Sequence, residues 1–383
     1  MAIHFERSEL AGRRKRTCEA MVKRGLDGLL MFRQESMYYL TGYDTFGYVF
    51  FQCLYLGADG KMTLVTRAPD LRQAQHTSVI EDIRIWVDAP DANPAVELRT
   101  VLAEHGCKGK KLGVEWEAYG LTARNGQRLT AALQGFATLD DASDLVSRLR
   151  VVKSEAELRY VRRAAELADA AWDKARHLAA PGAFEGDILA AMHAAIYKEG
   201  GDDPANEFII GSGRDALLCR YYSGRRKLDK DDQLTLEFAG AYRHYHSCLM
   251  RTLRIGKLPA QQADMYRVSK EALLACEAAL RPGNRVGDVF DAHARILDAA
   301  GYGKHRMNAC GYSLGTTFAP NWMDWPMFYK DNPEIIQPGM VFFIHMLILD
   351  SDSGFAMTLG RTSEVTPEGA KVLSKASLDM IVK

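Results

Sequence analysis

Residues 234–252, "LTLEFAGAYRHYHSCLMRT", decide how this chain is read. The stretch alternates in the manner of a β-hairpin and carries a carboxylate, Glu237, two histidines, His244 and His246, and a thiol, Cys248. Three readings fit: a metal site, a metal-free catalytic site, or a strand pair with polar decoration. Glu237 stands between Leu236 and Phe238, and a carboxylate on a buried strand is costly unless paired or hydrogen-bonded. It is either ion-paired, with Arg220 or Arg251, or a nucleophile or general base whose pKa burial has raised. His244, His246 and Cys248 share one strand parity. An alternate-face histidine is often just half-exposed, and a lone cysteine is usually a small buried hydrophobe.

Upstream, Ser154 followed by Glu157 forms a capping box that opens a long helix over "LRYVRRAAELADAAWDKARHLA". Beyond it lies an internal repeat. "APGAFEGDILAAMHAAIYKEGG" and "RPGNRVGDVFDAHARILDAAGY" both read PGxxxGD and then an amphipathic helix ending at Gly. Two copies are too few for a solenoid, so the expectation is a pseudo-symmetric domain with its site where the halves meet. The first 150 residues alternate strand-like segments ("LDGLLMF", "FFQCLYLGADGKMTLVT", "IRIWV", "KKLGVEW") with helix-like ones, which predicts an α/β domain. The second of these segments is a hairpin turning at Asp59-Gly60. We place the domains at 1–152 and 153–383.

At 383 residues and 47% hydrophobic, each half can bury a core. Lys+Arg and Asp+Glu both number 49, so no basic field exists to hold nucleic acid or an anionic membrane. The expected partner is a small molecule or a second copy of the chain. The seven cysteines are scattered without a CxxC, the usage of a reducing compartment. The beginning "MAIHFERSELAGRRKR" has no apolar core and no run approaches eighteen apolar residues, so a soluble cytoplasmic protein is expected.

The capping helix, the PGxxxGD repeat, the hairpin, "CGYSLG" and "QPGMVFFIH" together resemble the creatinase/aminopeptidase P superfamily, whose catalytic domain has the pita-bread fold. The resemblance implies an α/β N-terminal domain plus an α+β pita-bread C-terminal domain with an internal pseudo-two-fold repeat. Metallopeptidases of that superfamily bind two metals through two hairpin aspartates, a histidine in a Gly-rich turn and two late glutamates. Those positions fall here on Glu237, Cys248, Tyr312, His345 and a place at or beside Gly360. One glutamate, a thiol and an imidazole do not supply the clustered carboxylates that a hard dinuclear site needs. A single softer ion held by Glu237, Cys248 and His345 is one alternative, and an inactive peptidase-like binding protein is another.

Similarity is closest to the metal-free branches that hydrolyse C–N bonds in small solutes, the creatinases and above all the ectoine hydrolases. Glu237, Ala239, Gly240, Tyr242, Tyr245 and His246 match the pattern E-x-A-G-x-Y-x-x-Y-H, and Gly311, Tyr312, Gly315, Pro320 and Trp322 match a second. Where those hydrolases carry a catalytic histidine upstream of the hairpin, this chain has Arg220. The resemblance implies a cofactor-free, metal-independent hydrolase of an ectoine- or creatine-like amidine, lactam, guanidino acid or amide.

In this reading Glu237 attacks or activates water, and His246 or His345 moves protons. A core histidine is the plainer account of His345. Tyr312, Trp322 and His244 contact substrate, and "FAPNWMDWPMFY" (318–329) is either a packed loop or a pocket wall. Arg220 either holds a substrate carboxylate, which predicts an anionic ligand, or neutralises Glu237, which does not. The segment "MYYLTGYDTFGYVFFQ" (37–52) resembles the loop that reaches the partner's pocket in two-domain relatives. Asp44, Phe46 and Tyr48 are its candidates and a homodimer the expectation, although turn chemistry alone explains Asp44 and Gly47.

Overall fold

The computed structural model describes residues 3–220 and 224–383. It divides into two compact units, Met1–Arg150 and Val151–Lys383.

In the first unit the elements run α1 (Arg7–Lys23), β1 (Gly28–Met31), α2 (Gln34–Thr41), β2 (Cys53–Gly57), β3 (Met62–Arg67), α3 (Leu71–Thr77), β4 (Ile83–Trp86), α4 (Pro94–Glu104), β5 (Lys111–Val114), α5 (Ala123–Leu133), β6 (Thr138–Asp141) and α6 (Leu145–Arg150). Among the described residues the strands form one mixed sheet in the order β4-β3-β2-β1-β5-β6. The Asp59-Gly60 turn joins β2 to β3 antiparallel, with Gly60 at φ 85°. Helix crossovers make β1/β5, β3/β4 and β5/β6 parallel, as right-handed βαβ connections require. The apolar strands are buried on both faces, which gives the two cores around Leu30 and Leu54.

The second unit holds α7 (Glu155–Leu178), α8 (Glu185–Lys198), β7 (Ile209–Ser212), β8 (Asp232–Tyr242), β9 (Tyr245–Ile255), α9 (Ala260–Ala279), α10 (Val286–Ala299), β10 (Ala309–Ser313), β11 (Asp324–Tyr329), β12 (Val341–Asp350), β13 (Phe355–Thr366), β14 (Gly369–Val372) and β15 (Ile381–Val382). Helix α7 starts at the capping box: the Ser154 hydroxyl accepts the Glu157 N–H, and the Glu157 carboxylate accepts the Ser154 N–H. The main path of the sheet runs β11-β10-β12-β13-β9-β8-β7. Read outward from the β13/β9 seam, each side has a hairpin and then a short strand, β10 or β7, with β11 added at the β10 edge. This is the pseudo-two-fold arrangement that the PGxxxGD repeat predicts, and each repeat supplies a helix of one half, α8 or α10.

Helix α7 lies close on β8 because Gly240 has no side chain: a Cβ there would stand 2.0 Å from the Ala164 carbonyl oxygen. On the other half, Phe342, Ile344, Met346 and Ile348 of β12 pack with Val286, Val289, Phe290 and Leu297 of α10. Alternation therefore sends Phe343, His345 and Leu347 to the opposite face of the sheet. The second half of the aromatic segment, expected as loop, is the edge strand β11. Pro326 is tolerated there because an edge strand has one side that needs no ladder bond. Among the described residues no helix is long and apolar enough to cross a membrane.

Candidate active site

The strand register sets the chemistry of the open face. Ile209, Glu237, Met250, Gly360 and His345 form one cross-strand row over β7, β8, β9, β13 and β12. Directly opposed residues point to the same face, so Glu237 and His345 look into a shared space three strand spacings apart, each about 4.8 Å. Tyr312 on β10 opposes Phe343 and so joins them. These side chains line a cavity of about 780 Å³ in the second unit, with Met250, Met307, Met327, Ile209 and Leu347 as its apolar lining. Arg220, Asn206, Glu207, Asn308, Asn321 and Trp322 also line it.

Glu237, Tyr312 and Trp322 form a directional chain. The Trp322 indole N–H donates to the Tyr312 hydroxyl at 2.8 Å, and the Tyr312 hydroxyl donates to Glu237 Oε1 at 3.2 Å. Indole can only donate, so the phenol proton is sent towards the carboxylate. Burial raises the Glu237 carboxyl from 4.5 to about 7, while the Tyr312 hydrogen bond and the Arg220 charge oppose that rise. Glu237 is thus poised between its two protonation states at neutral pH. Tyr312 keeps its proton, because burial and then the Glu237 charge push its pKa well up.

His345 stays neutral: burial, then the neighbouring His293, lowers it to about 3. Its Nδ1 is buried without a hydrogen-bond partner among the described residues. The ring lies edge-on to Tyr312 at 5.7 Å between centroids. Gly360 makes room for it, since a Cβ at 360 would stand 2.9 Å from the His345 Cβ. A side chain at 360 would also meet the Ile344 carbonyl oxygen and the Phe343 ring at 2.9 Å.

Arg220 lines the cavity and forms no ion pair with Glu237 among the described residues. Arg251, the other candidate partner of Glu237, has the opposite parity; it is buried and donates to the Met250 and Gly360 carbonyls at 2.9 and 2.6 Å. Neither cation makes an ion pair with Glu237 among the described residues, although the Arg220 charge acts on it.

His246 and His244 do not line the cavity. The His246 Nε2 accepts the Ala205 N–H at 2.9 Å, and its Nδ1 meets the Thr317 hydroxyl at 3.1 Å. Both ring nitrogens are engaged, and burial lowers the group to about 3, so it is a fixed neutral ring. His244 sits in the β8–β9 turn, stacked on Phe318 at 4.2 Å. Cys248 is fully buried, opposite Ala239, and burial followed by the Glu237 charge pushes its thiol well up.

In the first unit, Asp44 donates its N–H to Thr77 Oγ1 in the turn before the short 3₁₀ segment Gly47–Val49. Phe46 is 78% exposed, whereas Tyr48 is only 8% exposed and belongs to the unit's own interior. Of the expected lid residues, Phe46 is presented and Tyr48 is not. Sequence reading missed Asn206, Glu207 and Asn308, which lie between the regular elements with no periodic signal, and reached Asn321 only as part of the 318–329 segment.

The superfamily's two metals do not fit these residues. The five positions carry Glu237, Cys248, Tyr312, His345 and Gly360, and among the described residues no group of three or more His, Cys, Asp or Glu could hold an ion. The single-ion arrangement of Glu237, Cys248 and His345 does not assemble either.

The chain belongs to Metallopeptidase family M24, which matches residues 159–367; the Creatinase/Prolidase N-terminal domain matches residues 13–152. It is a member of a hydrolase family with the two-domain pita-bread architecture. Among curated relatives it is 27% identical to the ectoine hydrolase of Halomonas elongata, covering 100% of this chain and 99% of that one. It is 22% identical to the Xaa-Pro dipeptidase of Pyrococcus horikoshii, covering 96% and 98%. A prolidase from Thermococcus sibiricus superposes with a TM-score of 0.87 at 22% identity, covering 97% of this chain and 98% of that one.

Proposed function

We propose that this protein hydrolyses a non-peptide C–N bond in a small nitrogenous solute, without a metal ion, as a cytoplasmic enzyme of the ectoine-hydrolase or creatinase kind. The observation that carries the reading is Glu237: a cavity carboxylate poised near pH 7 and aimed by Tyr312 and Trp322. As carboxylate it takes a proton from water while the water oxygen bonds to the carbon of the C–N group. As acid it returns that proton to the departing nitrogen, so one water is consumed and the C–N bond becomes C–O and N–H. Tyr312 holds the carboxylate in line and His345 presents Nδ1 to a polar group of the substrate. Arg220, a cation lining the cavity, favours a substrate that carries a carboxylate. His246 is reassigned from proton carrier to support, since neither nitrogen is available to substrate.

A dimer in which Phe46 closes the partner's cavity is part of this proposal, on the strength of its exposure. The Xaa-Pro dipeptidase relative favours peptidase activity as a second reading. The two are separated by incubating the protein with ectoine, related solutes and Xaa-Pro dipeptides, with and without chelator, and following products by NMR. Solute hydrolysis that survives chelation is expected. Dipeptide cleavage that needs added divalent metal would replace this reading with the peptidase one.

A further inference from the structure

We propose that the tip of the β8–β9 hairpin is a clamp, in which His244 and His246 hold the two loops at the mouth of the cavity and act as positioning residues. The inference rests on the proposed function only in taking that cavity as the active site.

Besides the Tyr245 hydroxyl's bond to Glu157 of α7, the tip sends a set of bonds to two loops. The first, 202–208, contributes Asn206 and Glu207 to the cavity wall. The His246 Nε2 accepts its Ala205 N–H at 2.9 Å, the His244 N–H donates to Asp202 Oδ2 at 3.2 Å, and the Asp202 N–H donates to the Ala241 carbonyl at 2.9 Å. The second loop, 315–322, contributes Asn321 and Trp322. The His246 N–H donates to the Gly315 carbonyl at 3.3 Å, the His244 carbonyl accepts the Thr317 N–H at 3.1 Å, and the His244 ring stacks on Phe318. Since Nε2 accepts, the single proton of the neutral His246 ring is on Nδ1, so the Thr317 oxygen accepts it. Thr317 is then left to donate to the Trp322 carbonyl at 3.4 Å.

The path therefore reaches the chemistry. His246 orders Thr317, Thr317 holds Trp322, Trp322 donates to Tyr312, and Tyr312 donates to Glu237. One buried imidazole joins both walls of the cavity to the carboxylate.

The backbone carries an independent sign of this role. Arg243 and His244 form a two-residue turn with φ of 54° and 64°. That type I′ geometry is normally built with Asn-Gly, because side chains disfavour the left-handed region. Strained non-glycine residues persist where surrounding structure over-determines them, and here that structure is the two loops.

Hydrogen–deuterium exchange of the full-length protein, followed by mass spectrometry, tests the clamp without needing a substrate. Its failure is thus read apart from that of the hydrolase proposal. His246→Leu should speed exchange about tenfold or more in both 202–208 and 315–322, and leave α9 unchanged. His246→Gln, whose amide oxygen can accept the Ala205 N–H, should restore 202–208 selectively. Thr317→Val should loosen 315–322 alone. Protection of either loop unchanged in His246→Leu, or loss spread evenly into α9, would overturn the clamp. Should His246→Leu not fold, the Gln and Val variants decide: faster exchange of 315–322 with 202–208 still protected in both supports it, and no loop-specific change refutes it.

Discussion

The two hairpins flanking the seam of the second unit occupy equivalent places and end in different turn chemistry. The β12–β13 turn closes on its own Asp350, with Gln261 and Gln233 adding bonds from outside. Asp350 accepts the Asp352 and Ser353 N–H groups through Oδ1 and the Ser353 hydroxyl through Oδ2, and Gly354 takes φ 77° with open space around it. The β8–β9 turn has two left-handed non-glycine residues and is held from outside. A turn closed by its own aspartate and a glycine is written largely in its local sequence. A turn that depends on distant loops marks a place where the fold has tied elements together, and this one sits beside the cavity.

The same contrast holds for what each hairpin shows to the cavity. β8 presents a carboxylate poised near pH 7, and β12 presents an imidazole kept neutral. Replacing Glu237 by Gln should have the largest effect, lowering turnover by about 10²–10⁴-fold, as loss of a general acid–base does. The sign of the stability change follows from the raised pKa. The native state binds a proton more tightly than the unfolded chain, so stability is fully present below about 4.5 and lost as pH rises to about 7. Glu237→Gln should therefore gain stability above pH 7, by up to ~3 kcal/mol, and gain nothing at pH 4. Thermal melts across that range check it, and an equal gain at both ends would contradict the assignment.

On the β12 side the decisive position is Gly360. Gly360→Ala puts a methyl against His345 and should cost about 2 kcal/mol, from overpacking, in denaturant titration. If stability is unchanged, His345 is not held by that contact. Tyr312→Phe removes the hydrogen bond that pulls Glu237 down, so the acid limb of the pH–rate profile should move up from about 7 by about one unit. An unmoved or lowered limb would separate Tyr312 from Glu237.

The smallest effects test the turns directly. Gly354→Ala should lower stability by about 1 kcal/mol, because only backbone strain is added. Arg243→Gly should raise it by about 0.5 kcal/mol, left-handed relief outweighing glycine's entropy. Chemical melts with the same sign for both would erase the contrast.

By itself the sequence determined the elements whose signals are local. The Ser154 and Glu157 capping box, the Asp59-Gly60 turn and the PGxxxGD repeat each act within a few residues, and strand parity follows from alternation alone. Glu237 was legible because a carboxylate between Leu236 and Phe238 needs a reason. Tertiary structure decided the partners. The match to the hydrolase pattern placed His246 among the candidates, but only the approach of Ala205 and Thr317 shows both its nitrogens spent. It took the strand register to bring His345 and Gly360 side by side, and burial to hold Glu237 near 7 and His345 near 3. Burial and register are sums over residues far apart in the chain, so no local stretch records them. Proton affinities, and with them the chemistry, are properties of the assembled cavity.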